Sequence, residues 1–229
     1  MRKPVVDYRG LRPATLTSPE YKHVLLLGGW IVYFILYFLT ERFIPDSACH
    51  VIHCRLDDLI PFNEYFLIFY CSWYVLILGV LLNYLLYDVE KFKQLQSFIM
   101  LTQLLATIVY IVYPSVQQLR PESFERDNFF TALMTFIYNF DTPTGVCPSL
   151  HVSYTWGIVS TILKDRKLAR WKRIFFLLLG IMICVSTAFV KQHSCVDIFF
   201  GLVLGLVVEV LVYGKTWWQP KLKTKLRTL

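Results

Sequence analysis

Long apolar runs separated by short polar stretches set the pattern of this chain. Six segments are long or apolar enough to cross a bilayer, which takes about 20 residues each. They lie near 23–43, 64–87, 97–113, 150–164, 173–190 and 195–214. The fourth, "SLHVSYTWGIVSTIL", is short and begins on polar residues. Between the third and fourth, "NFFTALMTFIYNF" is amphipathic and too short to span easily, so it predicts an interfacial helix. The first apolar core, "VLLLGGWIVYFILYFL", exceeds that of a typical signal peptide, and no small-x-small cleavage site follows it. It therefore predicts a retained span, with Thr17 and Glu20 at capping-box spacing before it.

Composition strengthens the membrane reading. The 229 residues are 56% hydrophobic and only 17% charged, with no internal repeat and no Pro/Gly/Ser linker. One multi-pass integral membrane domain is expected over 23–214, between an N-terminal tail (1–22) and a basic C-terminal tail (215–229). The net charge of +7 raises nucleic acid as a partner, but the Lys and Arg residues sit in the gaps between apolar blocks. That distribution excludes nucleic acid and points to the lipid bilayer. The N-terminal tail, the second-to-third connection, the fourth-to-fifth connection and the C-terminal tail hold eighteen of the 23 Lys and Arg residues. The expected fold is thus an all-α six-helix transmembrane bundle with both termini cytoplasmic and an extracytoplasmic active site.

The cysteines add little. Cys49, Cys54, Cys147 and Cys195 fall on or near the outer face, where disulfides form, and a Cys49–Cys54 bridge is one pairing the spacing allows. Cys71 and Cys184 read as small buried hydrophobes within spans. His50 and His53, with Asp57 and Asp58, allow a metal patch, although a solvated loop is the simpler account.

Three polar clusters share the outer face: "LRPES" around Arg120, "DTPTGVCPSLH" ending at His151, and "VKQHSCVD" ending at Asp197. Taken singly, Arg120 reads as an interfacial anchor, His151 as a helix-starting residue and Lys191 as a snorkelling cation. His193 and Asp197 are harder to explain away. A four-residue spacing puts both on one helical face, about 6 Å apart along the axis. A carboxylate accepting from one imidazole nitrogen fixes the tautomer and leaves the other nitrogen nucleophilic.

These residues resemble the three signature motifs of the type 2 phosphatidic acid phosphatase superfamily: Arg120-Pro121, Pro148-Ser149-Leu150-His151, and His193 with Asp197. The resemblance covers roughly residues 57 to 210, and "PSLH" is similar to the branch that includes inositol phosphorylceramide synthases. It implies a phosphohistidine reaction with no metal and no cofactor. By position, His193 is then the nucleophile, Asp197 its orienting group, and His151 the acid and base for the leaving and entering oxygens. Arg120, Ser149 and the backbone N–H groups near Leu150 would bind the non-bridging oxygens.

Two positions depart from the pattern. Tyr113 stands where the first motif has a Lys, and Ser186-Thr187 where the third has Ser-Arg. Lys191 is the expected replacement phosphate ligand. Asp141 reads as a partner of Arg120 or as a helix stop, and Glu209 as a snorkelling residue beside Lys215. The expected function is dephosphorylation of a membrane lipid phosphate such as phosphatidic acid, phosphatidylglycerol phosphate or a polyprenyl pyrophosphate. The alternatives are a head-group transferase on the same intermediate, and a catalytically silent lipid-binding or scrambling protein.

Overall fold

The computed structural model describes residues 3–220, and the last part of the basic tail, 221–229, lies outside them. The described residues form eight α-helices: α1 (Gly29–Phe43), α2 (Arg55–Leu59), α3 (Leu67–Tyr87), α4 (Val89–Val112), α5 (Phe129–Phe140), α6 (Leu150–Lys164), α7 (Arg170–Phe189) and α8 (Cys195–Tyr213). The strands β1 (His50–Val51) and β2 (Ser115–Val116) pair in parallel and join the loops after α1 and α4.

Among the described residues, five helical stretches are long and apolar enough to cross a membrane: Lys22–Thr40, Glu64–Tyr87, Val89–Val112, Arg170–Phe189 and Cys195–Trp218. They expose apolar side chains outward, among them Ile31, Phe38, Val75, Leu78, Val112, Leu178 and Val210, as a lipid-facing surface requires. The expected span at 97–113 begins earlier, at Val89. Its charged first turn is capped by Asp88, whose Oδ1 accepts from Lys91 N, and it buries Phe92 and Leu95.

The expected fourth span is a helix, but a short one. At 15 residues, α6 is only about 22 Å long, against about 30 Å of hydrocarbon. It is enclosed by α3, α4, α7 and α8. This explains its polar sequence, because its hydroxyls bond inside the bundle. Ser153 Oγ donates to Gly201 O at 2.8 Å, Tyr154 OH donates to Gln103 Oε1 at 2.6 Å, and Thr161 Oγ1 bonds Tyr213 OH at 2.6 Å. Such interhelical bonds contribute about 0.6–2 kcal/mol each.

Several local expectations are corrected. Thr17 and Glu20 do not open a helix. The helical stretch starts at Lys22 after turn bonds from Tyr21 N and Lys22 N to Ser18 O. The segment before it is more than a tail: Val5 N donates to Leu86 O and Tyr8 OH to Leu85 O, docking it on the end of α3. Glu209 does not snorkel. It is 1% exposed, paired with Lys164, and accepts from Ser160 Oγ and Trp218 Nε1. The amphipathic segment expected as a short helix forms α5, where Asn128 Oδ1 caps Phe130 N and Thr131 N, Met134 turns inward and Phe129, Phe136 and Phe140 outward.

Candidate active site

His193 is held between two helix ends. After α7, Val190 N bonds Ser186 O, and Gln192 N and His193 N both donate to Thr187 O at 3.0 and 3.1 Å. Lys191, at φ 53°, takes the left-handed conformation that reverses the chain there. Ser194 then starts α8: its Oγ accepts from Val196 N, and its own N–H donates to Asp197 Oδ2 at 2.9 Å. The four-residue spacing brings His193 Nδ1 within 3.4 Å of the same Asp197 oxygen. Asp197 is fully buried.

His151, the second residue of α6, comes from the opposite side. Its ring lies against Tyr70 and Trp73 of α3, at centroid distances of 4.7 and 4.2 Å. Its Nδ1 is 3.3 Å from His193 Nε2. With Nδ1–H of His193 directed at Asp197, Nε2 carries the lone pair and accepts from His151. His151 Nε2 is buried without a hydrogen-bond partner, the kind of atom that calls for a functional account. The close approach of α6 and α8 depends on Gly201, where a Cβ would stand 2.7 Å from Ser149 O.

Arg120 ties the loops together. Nη1 donates to Tyr138 O at 2.9 Å, and Nη2 to Asp141 O at 2.8 Å and to Gln192 Oε1 at 2.7 Å. The guanidinium lies 4.5 Å from the Tyr138 ring centre. Burial draws its pKa below the usual arginine value, with the Asp141 carboxylate pulling the other way. Asp141 fills both roles expected of it. It ends α5 and its carbonyl holds Arg120, while Oδ2 accepts from Gln192 Nε2 at 3.4 Å and Oδ1 from Tyr37 OH at 3.3 Å.

Other candidates sit elsewhere than expected. The Lys191 ammonium is held by Asp57 O at 2.8 Å and by Ile60 O, so a phosphate would have to displace two carbonyls to reach it. The left-handed turn sends this side chain to the loop before α3. Tyr113 stacks on His50 at 4.2 Å, away from the histidine pair. Ser149 Oγ caps α6 by accepting from Val152 N, and Ser149 N donates to Asp197 O. Leu150, at the first position of α6, does border the site.

The four-residue metal patch is not assembled. His50 is on Tyr113, His53 pairs with Asp58, and Asp57 turns inward. Asp57 Oδ2 accepts from Cys54 N and Ser194 Oγ at 2.8 and 2.6 Å, and Oδ1 from Cys195 N at 2.8 Å. Burial alone would raise its pKa, but these bonds outweigh that effect and hold the carboxyl below its usual value. Cys147, facing Asp197, is pushed up to about 12, first by burial and then by that carboxylate, and so stays a thiol.

A cavity of about 470 Å³ opens over the histidine pair. Gln192, His193, His151 and Asp141 form its polar end. Tyr33, Phe34 and Phe38 of α1, with Ile137 and Phe140 of α5, form apolar walls. Its described lining includes neither Lys nor Arg. Gln192, Asp57 and the Tyr70–Trp73 stack were not expected from the sequence. Ser194 was legible in principle, because Ser-x-x-Asp is capping-box spacing.

Neither a curated protein nor a solved structure gives a match to the chain. A family model described as the PAP2 superfamily matches residues 94–221, which takes in Arg120, His151, His193 and Asp197. Members of that superfamily are typically phosphatases, and the match runs over more than half of the sequence. With its five membrane-length helices, the chain belongs to the type 2 phosphatidic acid phosphatase (PAP2) superfamily.

Proposed function

We propose that the protein is an integral membrane phosphatase that releases phosphate from a lipid phosphate through a covalent phosphohistidine on His193. The observation that carries this reading is the relay Asp197–His193–His151, with its two contacts of 3.4 and 3.3 Å, beside a cavity with apolar walls from α1 and α5. Asp197 holds the Nδ1–H tautomer, so the Nε2 lone pair attacks phosphorus. A phosphoryl group enters by separating the two imidazoles, since their present contact leaves no room for it. His151 then gives its proton to the leaving alkoxide and later takes one from water, which cleaves the N–P bond.

The apolar walls from α1 and α5 suit acyl or prenyl chains, with the phosphate at the histidines. The N-terminus of α6, at Leu150 and His151, favours an anion there. The Lys and Arg distribution supports both termini on the cytoplasmic side and the histidine pair on the extracytoplasmic side.

A second reading, transfer of a phospho-head group to an alcohol, is favoured by one observation. Among the described lining residues there is no Lys or Arg, and Arg120 acts from behind Gln192. That setting suits a singly charged phosphodiester better than a dianionic phosphate. The test is to supply purified protein with labelled phosphatidic acid, phosphatidylglycerol phosphate and a prenyl pyrophosphate, with and without an acceptor alcohol. Free phosphate without acceptor supports the hydrolase; labelled lipid formed only with acceptor supports the transferase; neither product refutes both.

A further inference from the structure

The geometry points to a disulfide between Cys54 and Cys195 that locks the loop before α3 onto the loop carrying His193. One carboxylate holds both cysteine backbones: Asp57 Oδ2 accepts from Cys54 N and Oδ1 from Cys195 N, each at 2.8 Å. Two main-chain nitrogens bound to the two oxygens of one carboxylate bring the two segments side by side, as a bridge between them requires. The two Sγ atoms and the carboxylate lie within 4.8 Å of one another.

The same three side chains could be read as a metal site, but the carboxylate is already committed. Its oxygens take three donors, from Cys54 N, Ser194 Oγ and Cys195 N. Two thiols would be left as ligands, whereas a structural zinc takes four. A Cys49–Cys54 bridge is also less well placed, since the Cys49 thiol is directed at Pro45 O at 3.8 Å.

The bond forms by exchange with an oxidising disulfide, either a small molecule or a dithiol-type donor protein. One cysteine thiolate attacks the donor's S–S bond, forming a mixed disulfide and expelling one donor thiol. The second cysteine attacks that mixed disulfide and expels the other. The pair gives up two electrons and two protons, and the donor's disulfide becomes two thiols. Such a donor belongs to an extracytoplasmic compartment.

The consequence falls on His193. Asp57 and Ile60 carbonyls already hold Lys191 on one side of it, and the Asp57 carboxylate holds Ser194 and Cys195 on the other. Oxidation makes this clasp covalent. Only the functional meaning of the clasp rests on the proposed phosphatase reading; the bond itself does not.

The experiment uses the full chain in detergent micelles, incubated with oxidised glutathione or with a phosphine reductant. Free thiols are then alkylated, and the intact mass, peptide map and metal content are read. The expected result is an oxidised protein carrying two fewer alkyl groups than the reduced form, with a Cys54–Cys195 cross-linked peptide and a higher unfolding temperature than the reduced form. Cys49→Ser retains the cross-link. Full alkylation of Cys54 and Cys195 after oxidation, a Cys49–Cys54 peptide, or zinc bound stoichiometrically would each overturn it. The wild-type peptide map decides the matter even if the Cys54→Ser and Cys195→Ser variants fail to fold. None of these readouts requires turnover, so this test can fail while phosphate release succeeds, or the reverse.

Discussion

His193 Nδ1 lies 3.4 Å from Oδ2 of Asp197, one helical turn further on, and the same oxygen accepts the Ser194 N–H at 2.9 Å. A single buried carboxylate thus starts α8 and fixes the imidazole tautomer. In Asp197→Asn that position holds either the amide oxygen, which accepts both bonds but carries no charge to stabilise an imidazolium, or the NH₂ group, which accepts neither. The expected result is a loss of phosphate release by about 10³–10⁴-fold with the fold retained. Turnover by phosphate assay and helicity by circular dichroism check the two halves separately.

Lys191 carries a left-handed backbone and a side chain clamped on Asp57 and Ile60 carbonyls. Lys191→Ala keeps the strained φ and loses the clamp, destabilising by about 1–3 kcal/mol. Lys191→Gly loses the same clamp but relieves the strain, recovering about 1 kcal/mol. Thermal unfolding in one detergent should therefore rank wild type above Gly and Gly above Ala, with KM for the lipid phosphate unchanged. A raised KM without loss of stability would instead make the ammonium a phosphate ligand.

Asp57 sets an acid limit. Its pKa in the folded state is lower than in the unfolded chain, where a carboxyl titrates at about 3.9. The stability it contributes is therefore fully present above that value and is lost as pH falls through the depressed folded value. Asp57→Asn should be less stable than wild type at neutral pH, and the gap should close on acidification. Denaturation midpoints at a series of pH values test this; a gap that stays constant with pH would contradict it.

At Gly201, the approach of α8 to Ser149 O leaves 2.7 Å for an added Cβ. Gly201→Ala should force α6 and α8 apart and cost about 1–3 kcal/mol. Because His151 and His193 ride on these helices, turnover should fall together with the unfolding temperature. An alanine variant with wild-type turnover and stability would show that the helices yield easily there.

Much of this was legible in the chain. Apolar runs marked the membrane-length helices because lipid-facing positions must be apolar. They missed the first turns of α4, where Phe92 and Leu95 are buried behind charged neighbours. They rated α6 weak for a physical reason: Ser153, Tyr154 and Thr161 find partners inside the bundle rather than facing lipid. His193 and Asp197 stood out through their four-residue spacing, although His193 lies just before α8, and His151 stood out only through its likeness to a family motif. Gln192 and Asp57 did not, because each acquires its meaning only from a tertiary partner: Arg120 for the first, Ser194 and Cys195 for the second. The direction of the Lys191 side chain was not legible, because closeness in sequence to His193 says nothing about direction once the backbone enters the left-handed region.

The most direct measurement is a rapid acid-free quench of purified protein mixed with phosphate-labelled lipid, followed by separation of the protein. The account predicts a labelled wild-type chain whose label survives alkali, is lost in acid and maps to His193, together with an unlabelled His193→Ala chain that releases no phosphate. Turnover with no labelled protein, or equal labelling of the His193→Ala chain, would contradict it.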